Sequence, residues 1–299
     1  MPSRSGADGE SALSDFTPAQ TGRATAEPRP VRYLLIGGTT VFVALFLFAP
    51  LLTVFTEALA DGWRSALAAL SLPDARAAAR MTLSIAAIAV PLNAIFGLAA
   101  AWAIAKFDFS GKAFLITLID LPFSVSPVVA GLMLVLLFGA NSSLGVWLMA
   151  NDMRVVFAFP GILLATLFVT FPFVARELIP VMIEQGRTEE EAALTLGASG
   201  WRTFLTVTLP NIRWALLYGV LLCNARAMGE FGAVAIVSGK IRGKTATMPT
   251  MVEMFYNEYL SVAAFSLAAV LAMLALLTLL LKTLLEWRHA DLLAATRLH

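Results

Sequence analysis

Apolar residues fall into six long runs, and polar residues collect in the gaps between them. The runs cover residues 33–55, 81–105, 113–138, 156–174, 214–237 and 261–284. Each approaches or exceeds the ~20 residues that cross the hydrocarbon core of a bilayer as a helix. Without water, backbone groups must pair inside the segment, so helix is expected throughout. The pattern predicts an all-α polytopic membrane protein with six transmembrane helices. Residues 1–32 are small and polar with no hydrophobic period, and read as a disordered tail; residues 288–299 read as a second tail. One membrane domain, 33–287, lies between them. Ala58-Leu59-Ala60 after the first run resembles a signal-peptidase site. The long tail before that run, and its spanning length, favour a retained first helix over a cleaved signal. Pro91, Pro122, Pro127, Pro160 and Pro172 fall in the runs and predict kinks. Kinked helices suit a bundle lining a pathway, and occur in purely structural helices too.

Composition narrows the class. Hydrophobic residues make up 59% of the chain, charged residues 14%, and mean hydropathy is +0.81. A soluble domain carries roughly 25% charge. A net charge of +1 leaves no field to draw nucleic acid, so the bilayer is the expected surrounding. The single cysteine, Cys223, excludes a disulfide within the chain, and no Cys/His spacing suits a metal. His289 and His299 read as solvated. No nucleophile triad, HExxH or acid/base carboxylate pair is present, so no catalytic residue is expected. With the N-terminus inside, inner segments carry 13 Lys and Arg and outer segments 7, which favours both termini in the cytosol.

The longest polar interruption after the first tail is residues 189–210, EEEAALTLGASGWRTFLTVTLP. Glu189, Glu190 and Glu191 open it. Gly197 and Gly200 are expected to break its first helix. A second piece carries Trp201, Phe204 and Leu205 at helical spacing, and Leu209-Pro210 is expected to stop it. Two short amphipathic helices joined at a glycine read as a docking surface for a partner, or as an ordinary cytosolic loop. By the charge count this loop is cytosolic.

Inside the fifth run, Arg226 and Glu230 stand four apart on one helix face. Charge at this depth faces a bundle interior or a water-filled cavity. The pair lends positive charge to an anion path, or neutralises itself to fix helix packing. Asp120 poses the same choice: it pairs with a cation on a neighbouring helix or caps a kink near Pro122. The outer segment from Ser238 to Thr245 mimics a phosphate loop but lacks the first glycine and a preceding strand. It reads as a basic loop that meets a delivery protein or the anion, or as a plain solvated loop.

Glu191-Ala192-Ala193, Gly197 and Val207-x-Leu209-Pro210 carry the spacing of the EAA signature, which resembles ABC importer permeases. The segments 120–131, 173–178, 224–234 and 237–245 are similar to sulfate/thiosulfate ABC permeases, most of all to the W-type subunit. The resemblance implies a type I ABC importer permease-like fold with a coupling loop at 184–210. It implies that Glu191, Ala192, Ala193, Gly197, Trp201, Leu209 and Pro210 couple to a cytosolic ABC ATPase dimer, which uses ATP and Mg; this chain would hold no cofactor. It further implies a sister T-type permease, with an isologous homodimer as the alternative. The remaining partners would be a periplasmic binding protein and sulfate or thiosulfate, at the bacterial cytoplasmic (inner) membrane. Three rivals stay open: a molybdate or tungstate permease, an ATP-independent secondary transporter, and a structural subunit with no path of its own.

Overall fold

A computed structural model describes residues 29–288. The histidines, residues 1–28 of the expected first tail and residues 289–299 lie outside the described residues. The described chain is helical: α1 (Arg29–Ala58), α2 (Trp63–Leu70), α3 (Pro73–Lys106), α4 (Lys112–Ser124), α5 (Pro127–Phe138), α6 (Ser143–Ala150), α7 (Phe159–Gln185), α8 (Thr188–Thr195), α9 (Gly200–Thr203), α10 (Leu209–Met228), α11 (Gly232–Val237), α12 (Met248–Asn257) and α13 (Ser261–Arg288). Five stretches are long and apolar enough to span a bilayer, and the bent pair α4–α5 makes up to a sixth. The protein is a multi-pass membrane protein. It divides into two units, Met1–Pro50 and Leu51–His299. In the first, α1 begins at Arg29, so residues 29–32 belong to a helix and not to the expected tail. Its apolar side chains are exposed, and Phe42 stacks on Phe46.

In the second unit, α3, α7 and α10 form the centre. Val90, Ala101, Val174, Leu178, Met182, Ile212, Cys223 and Ala227 are buried among them. Small residues set the spacing: a Cβ at Gly97 would lie 2.8 Å from the Val174 Cβ, and one at Gly219 3.1 Å from its Cα. Val174 is thus held between two glycines, the kind of close approach that packs helices in lipid. Asn93 of α3 donates to Thr170 Oγ1 of α7 at 2.7 Å and lies 3.6 Å from Cys223 of α10, a buried polar tie between the three helices.

The expected third span, 113–138, is two helices that turn through 107°. Proline supplies the reason. Pro127 opens α5, and a residue before proline is pushed out of the helical region; Val125 and Ser126 have ψ of 130° and 135°. The expected fifth span, 214–237, is also interrupted: α10 ends at Met228 and α11 starts at Gly232. Glycines bring the two interruptions together. A Cβ at Gly131 of α5 would come within 2.7 Å of the Ala233 carbonyl, and one at Gly232 within 2.9 Å of Pro127. The fourth span runs well past its expected end at 174, to Gln185. It therefore takes in Arg176, one of the 13 inner Lys and Arg counted above as lying outside the apolar runs.

Candidate functional site

The loop between α7 and α10 is built from local signals. Gly186 ends α7 at φ 65°. α8 then carries three glutamates in its first turn, where negative charge suits the helix dipole. It closes with a Schellman motif: Ala198 N–H donates to Ala193 O and Gly197 N–H to Leu194 O, both at 3.0 Å. Gly197 takes the left-handed position at φ 86°. The Ser199 hydroxyl then accepts from Arg202 N–H and caps α9. Gly200 is the first residue of α9, so it starts a helix and does not break one.

Leu209-Pro210 does not stop the second piece either. Gly200–Met228 is one spanning stretch, carried through Phe204–Thr208 as a π-helical turn. Proline lacks an N–H and its ring crowds the carbonyl four residues back. The wider turn, with Leu209 N–H donating to Phe204 O, lets the helix pass through Pro210.

The loop has two unlike faces. Inward, Glu190 lies 3.1 Å from Lys106 Nζ, at the end of α3, and accepts from Thr208 Oγ1 at 2.6 Å. Lys106 also donates to Gly186 O at 2.5 Å. Glu189 accepts from Asn211 of α10. The cleft beside them holds about 10 Å³, roughly the space of one water. Lys106 and Glu190 side chains are only 6% and 18% exposed, so this is a closed, charged staple and not a ligand pocket. Trp201, Phe204, Trp102 and Phe107 continue it as a row of ring contacts 5.0–6.0 Å apart.

Outward, Glu191 is exposed and has no ion pair or side-chain hydrogen bond among the described residues. Leu194, Leu196 and Trp201 are exposed beside it, Leu196 at 89% and Trp201 at 69%. Of the three glutamates that open the loop, Glu190 is held by Lys106, Glu189 is exposed with a neutral amide as its partner, and Glu191 has no side-chain partner among the described residues. Ala192 is exposed and Ala193 half-buried, while Leu209, half-buried, and Pro210, exposed, open α10.

The second set of charges lies within the spans. Arg226 Nη1 is 2.7 Å from Glu230, whose side chain is 1% exposed. The other Glu230 oxygen accepts from Ala233 N–H at 2.9 Å, and so caps α11 across the break. Asp120 of α4 lies 3.1 Å from Arg176 Nε of α7. It thus has a cation on a neighbouring helix, two residues past the end of the apolar run 156–174. Lys106, Arg176 and Thr208 are the residues that pattern reading missed. A lysine at the edge of an apolar run looks like any topogenic charge. Arg176, however, stands two residues past a run cut short at 174, between Pro172 and Pro180, where a proline-kinked span could have been extended.

The outer loop is largely self-neutralised. Lys240 pairs with Glu253, and Arg242 with Asp74 and Glu258. Glu258 and Asp74 hold the Arg242 guanidinium above its ordinary pKa. Of its basic side chains, Lys244 alone is without a charged partner among the described residues, which leaves little positive field for an anion.

These features define a class. The family model for the binding-protein-dependent transport system inner membrane component matches residues 93–290. The chain belongs to that family. It is similar to the sulfate transport system permease protein CysW of Escherichia coli (strain K12), 49% identical over 265 residues, 88% of this chain and 91% of that protein. It is 54% identical to the protein of the same name from Synechocystis sp., over 86% of this chain and 94% of the relative. The fold is also that of a chain in the crystal structure of a bacterial alginate ABC transporter in complex with an alginate pentasaccharide-bound periplasmic protein. There the TM-score is 0.70, with 14% identity, 88% of this chain and 94% of the other being covered.

Proposed function

We propose that this chain is the W-type permease subunit of an ATP-driven importer for sulfate and thiosulfate, with both termini in the cytosol of a bacterial inner membrane. In this reading a sister T-type permease completes the path, and a periplasmic binding protein delivers the anion. A separate ATPase dimer, the subunit that uses ATP and Mg, docks on α8 and α9. The choice of anion rests on the relatives named above. The docking role rests on one observation: the loop is tied on its inner face by Lys106, Thr208 and Asn211, and bare on its outer face at Glu191, Leu196 and Trp201. A stiff element between two spans can pass closure of an ATPase dimer into the membrane as rigid-body motion. Its free carboxylate suits a basic groove. Arg226 lends the path positive charge, and Glu230 holds the guanidinium in place.

The test is uptake of labelled sulfate, thiosulfate and molybdate in a deletion strain complemented with this chain, paired with purification of the complex. Sulfate uptake should return, and Glu191→Lys should abolish it while shedding the ATPase from the purified complex. Restored molybdate but not sulfate uptake would reassign the anion. An ATPase that stays bound and stimulated after Glu191→Lys would remove the docking role.

A further inference from the structure

We propose that Arg176, with Asp120 behind it, forms a second oxyanion station in the membrane path, about 13 Å along the helix axes from Arg226. The proposal rests on the import reading above. Arg176 lies nine residues from the end of α7 at Gln185, some 13 Å at 1.5 Å per residue. That places it inside a span of mean hydropathy 1.9. At such a depth a cation is expensive unless it faces a partner or water. Yet the Arg176 side chain is 56% exposed and Asp120 38%. A pair meant only to bridge α4 and α7 would be enclosed by them, as Lys106 and Glu190 are. This pair opens outward from the bundle, and so borders something polar.

The geometry of the guanidinium says what it can hold. Asp120 occupies Nε at 3.1 Å. Phe123 lies under the guanidinium, 5.0 Å from ring centre to Cζ, and Phe173 braces that ring at 5.2 Å. The plane is therefore fixed, while Nη1 and Nη2 have no partner among the described residues. Two parallel N–H donors on a held plane match two oxygens of a tetrahedral dianion. Ser124, one turn beyond Asp120 on α4, adds an exposed hydroxyl to the same side. Asp120 also neutralises the site. A bare arginine would hold a dianion; a paired one binds weakly enough to release it, as a conducting path requires.

The register links this station to Arg226. Gly219 of α10 abuts Val174 of α7. The two helices run antiparallel, since Cys223 lies against Thr170 O; Arg226 is seven residues from this contact in one direction and Arg176 two in the other, so nine residues, about 13 Å, separate their levels. Both arginines carry a carboxylate partner, on Nε for Arg176 and on Nη1 for Arg226. The path would thus offer two forked, charge-compensated stops in succession.

The test uses the full complex in proteoliposomes, with labelled sulfate as the probe and ATP hydrolysis measured in parallel. If the unmodified complex moves no sulfate, the import reading itself falls. If it does, Arg176→Lys should cut uptake about tenfold, the loss of one charged hydrogen-bond pair, with the ATPase still bound and its basal rate unchanged. Asp120→Asn should lower both KM and maximal rate, because the anion is held longer. Uptake within twofold of the unmodified complex for Arg176→Lys and Arg176→Gln alike overturns the proposal. So does recovery of uptake by the double variant Arg176→Gln/Asp120→Asn, or failure of Arg176→Gln to assemble while Arg176→Lys and Asp120→Asn transport normally. Those last results mark a structural bridge.

Discussion

Two groups of charge sit at different heights in this protein and are treated in opposite ways. At the loop, Lys106 and Glu190 are enclosed and fully engaged, with Gly186 O and Thr208 Oγ1 completing their bonds. Within the spans, Arg176 and Asp120 are paired but open. A protein that needed only stability would do the reverse, leaving loop charges to water and sealing membrane charges in the core. The inversion assigns the jobs. Enclosed charge at the loop makes α8, the end of α3 and the π turn into one stiff piece. Open charge in the span gives a polar species somewhere to go.

The comparison breaks most visibly at Lys106. Lys106→Met leaves the Glu190 carboxylate buried beside a single hydroxyl and strips Gly186 O of its donor. Loss of one member of an enclosed pair costs about 3 kcal/mol or more. A lower unfolding midpoint is expected for the purified complex, together with hydrolysis no longer matched to uptake. Lys106→Met/Glu190→Met should recover most of the midpoint, since removing both charges leaves neither uncompensated. Arg176→Gln, at an open pair, should leave the midpoint where it was. Equal losses at Lys106 and Arg176 would erase the distinction between the two regions.

A smaller effect is expected at Gly197, where stiffness depends on the backbone alone. Gly197→Pro cannot reach φ 86° and deletes the N–H bonded to Leu194 O. A cost of about 2 kcal/mol, confined to the α8–α9 joint, follows from the strain and the lost bond. Limited proteolysis should cut the variant between residues 195 and 200 while the spans stay protected, and the ATPase should dissociate. Uncut loops with a bound ATPase would show that the glycine is dispensable.

What was legible in the sequence follows from how far each signal reaches. The long apolar runs announce spans because twenty apolar residues have few other uses. The glutamate-alanine-alanine, glycine and Leu-Pro spacing marked the loop, but only as a pattern. That Glu190 turns inward to Lys106, 84 positions earlier, depends on how α3 packs against α7, which no local window contains. Pro210 read as a stop because proline ends most helices; the π turn that carries the chain past it is a tertiary accommodation. Pro127 foretold an irregularity, but the 107° turn is set by α5 and α11 meeting at Gly131 and Gly232. Arg176 was hidden by its charge, which truncated the very span that holds it.

The smallest expected effect is at Asp108, in the turn between α3 and α4. It lies 3.3 Å from both Lys112 and Arg187, and so links this turn to the start of α8 beside the Lys106 staple. Its hydrogen bond to Lys112, then the charges of Lys112 and Arg187, hold its carboxyl below the ordinary 3.8. A carboxylate lowered on folding stabilises the folded state above its unfolded pKa, and that contribution is lost as pH falls through the lower, folded value. Acid titration below about pH 4 should therefore show a slight loss in the unmodified protein that Asp108→Asn lacks. Near neutral pH, Asp108→Asn should barely move the unfolding midpoint, because an exposed pair gains little over water. A drop as large as that of Lys106→Met would mean that the staple extends to the surface, and that exposure is not what separates the stiff charges from the open ones.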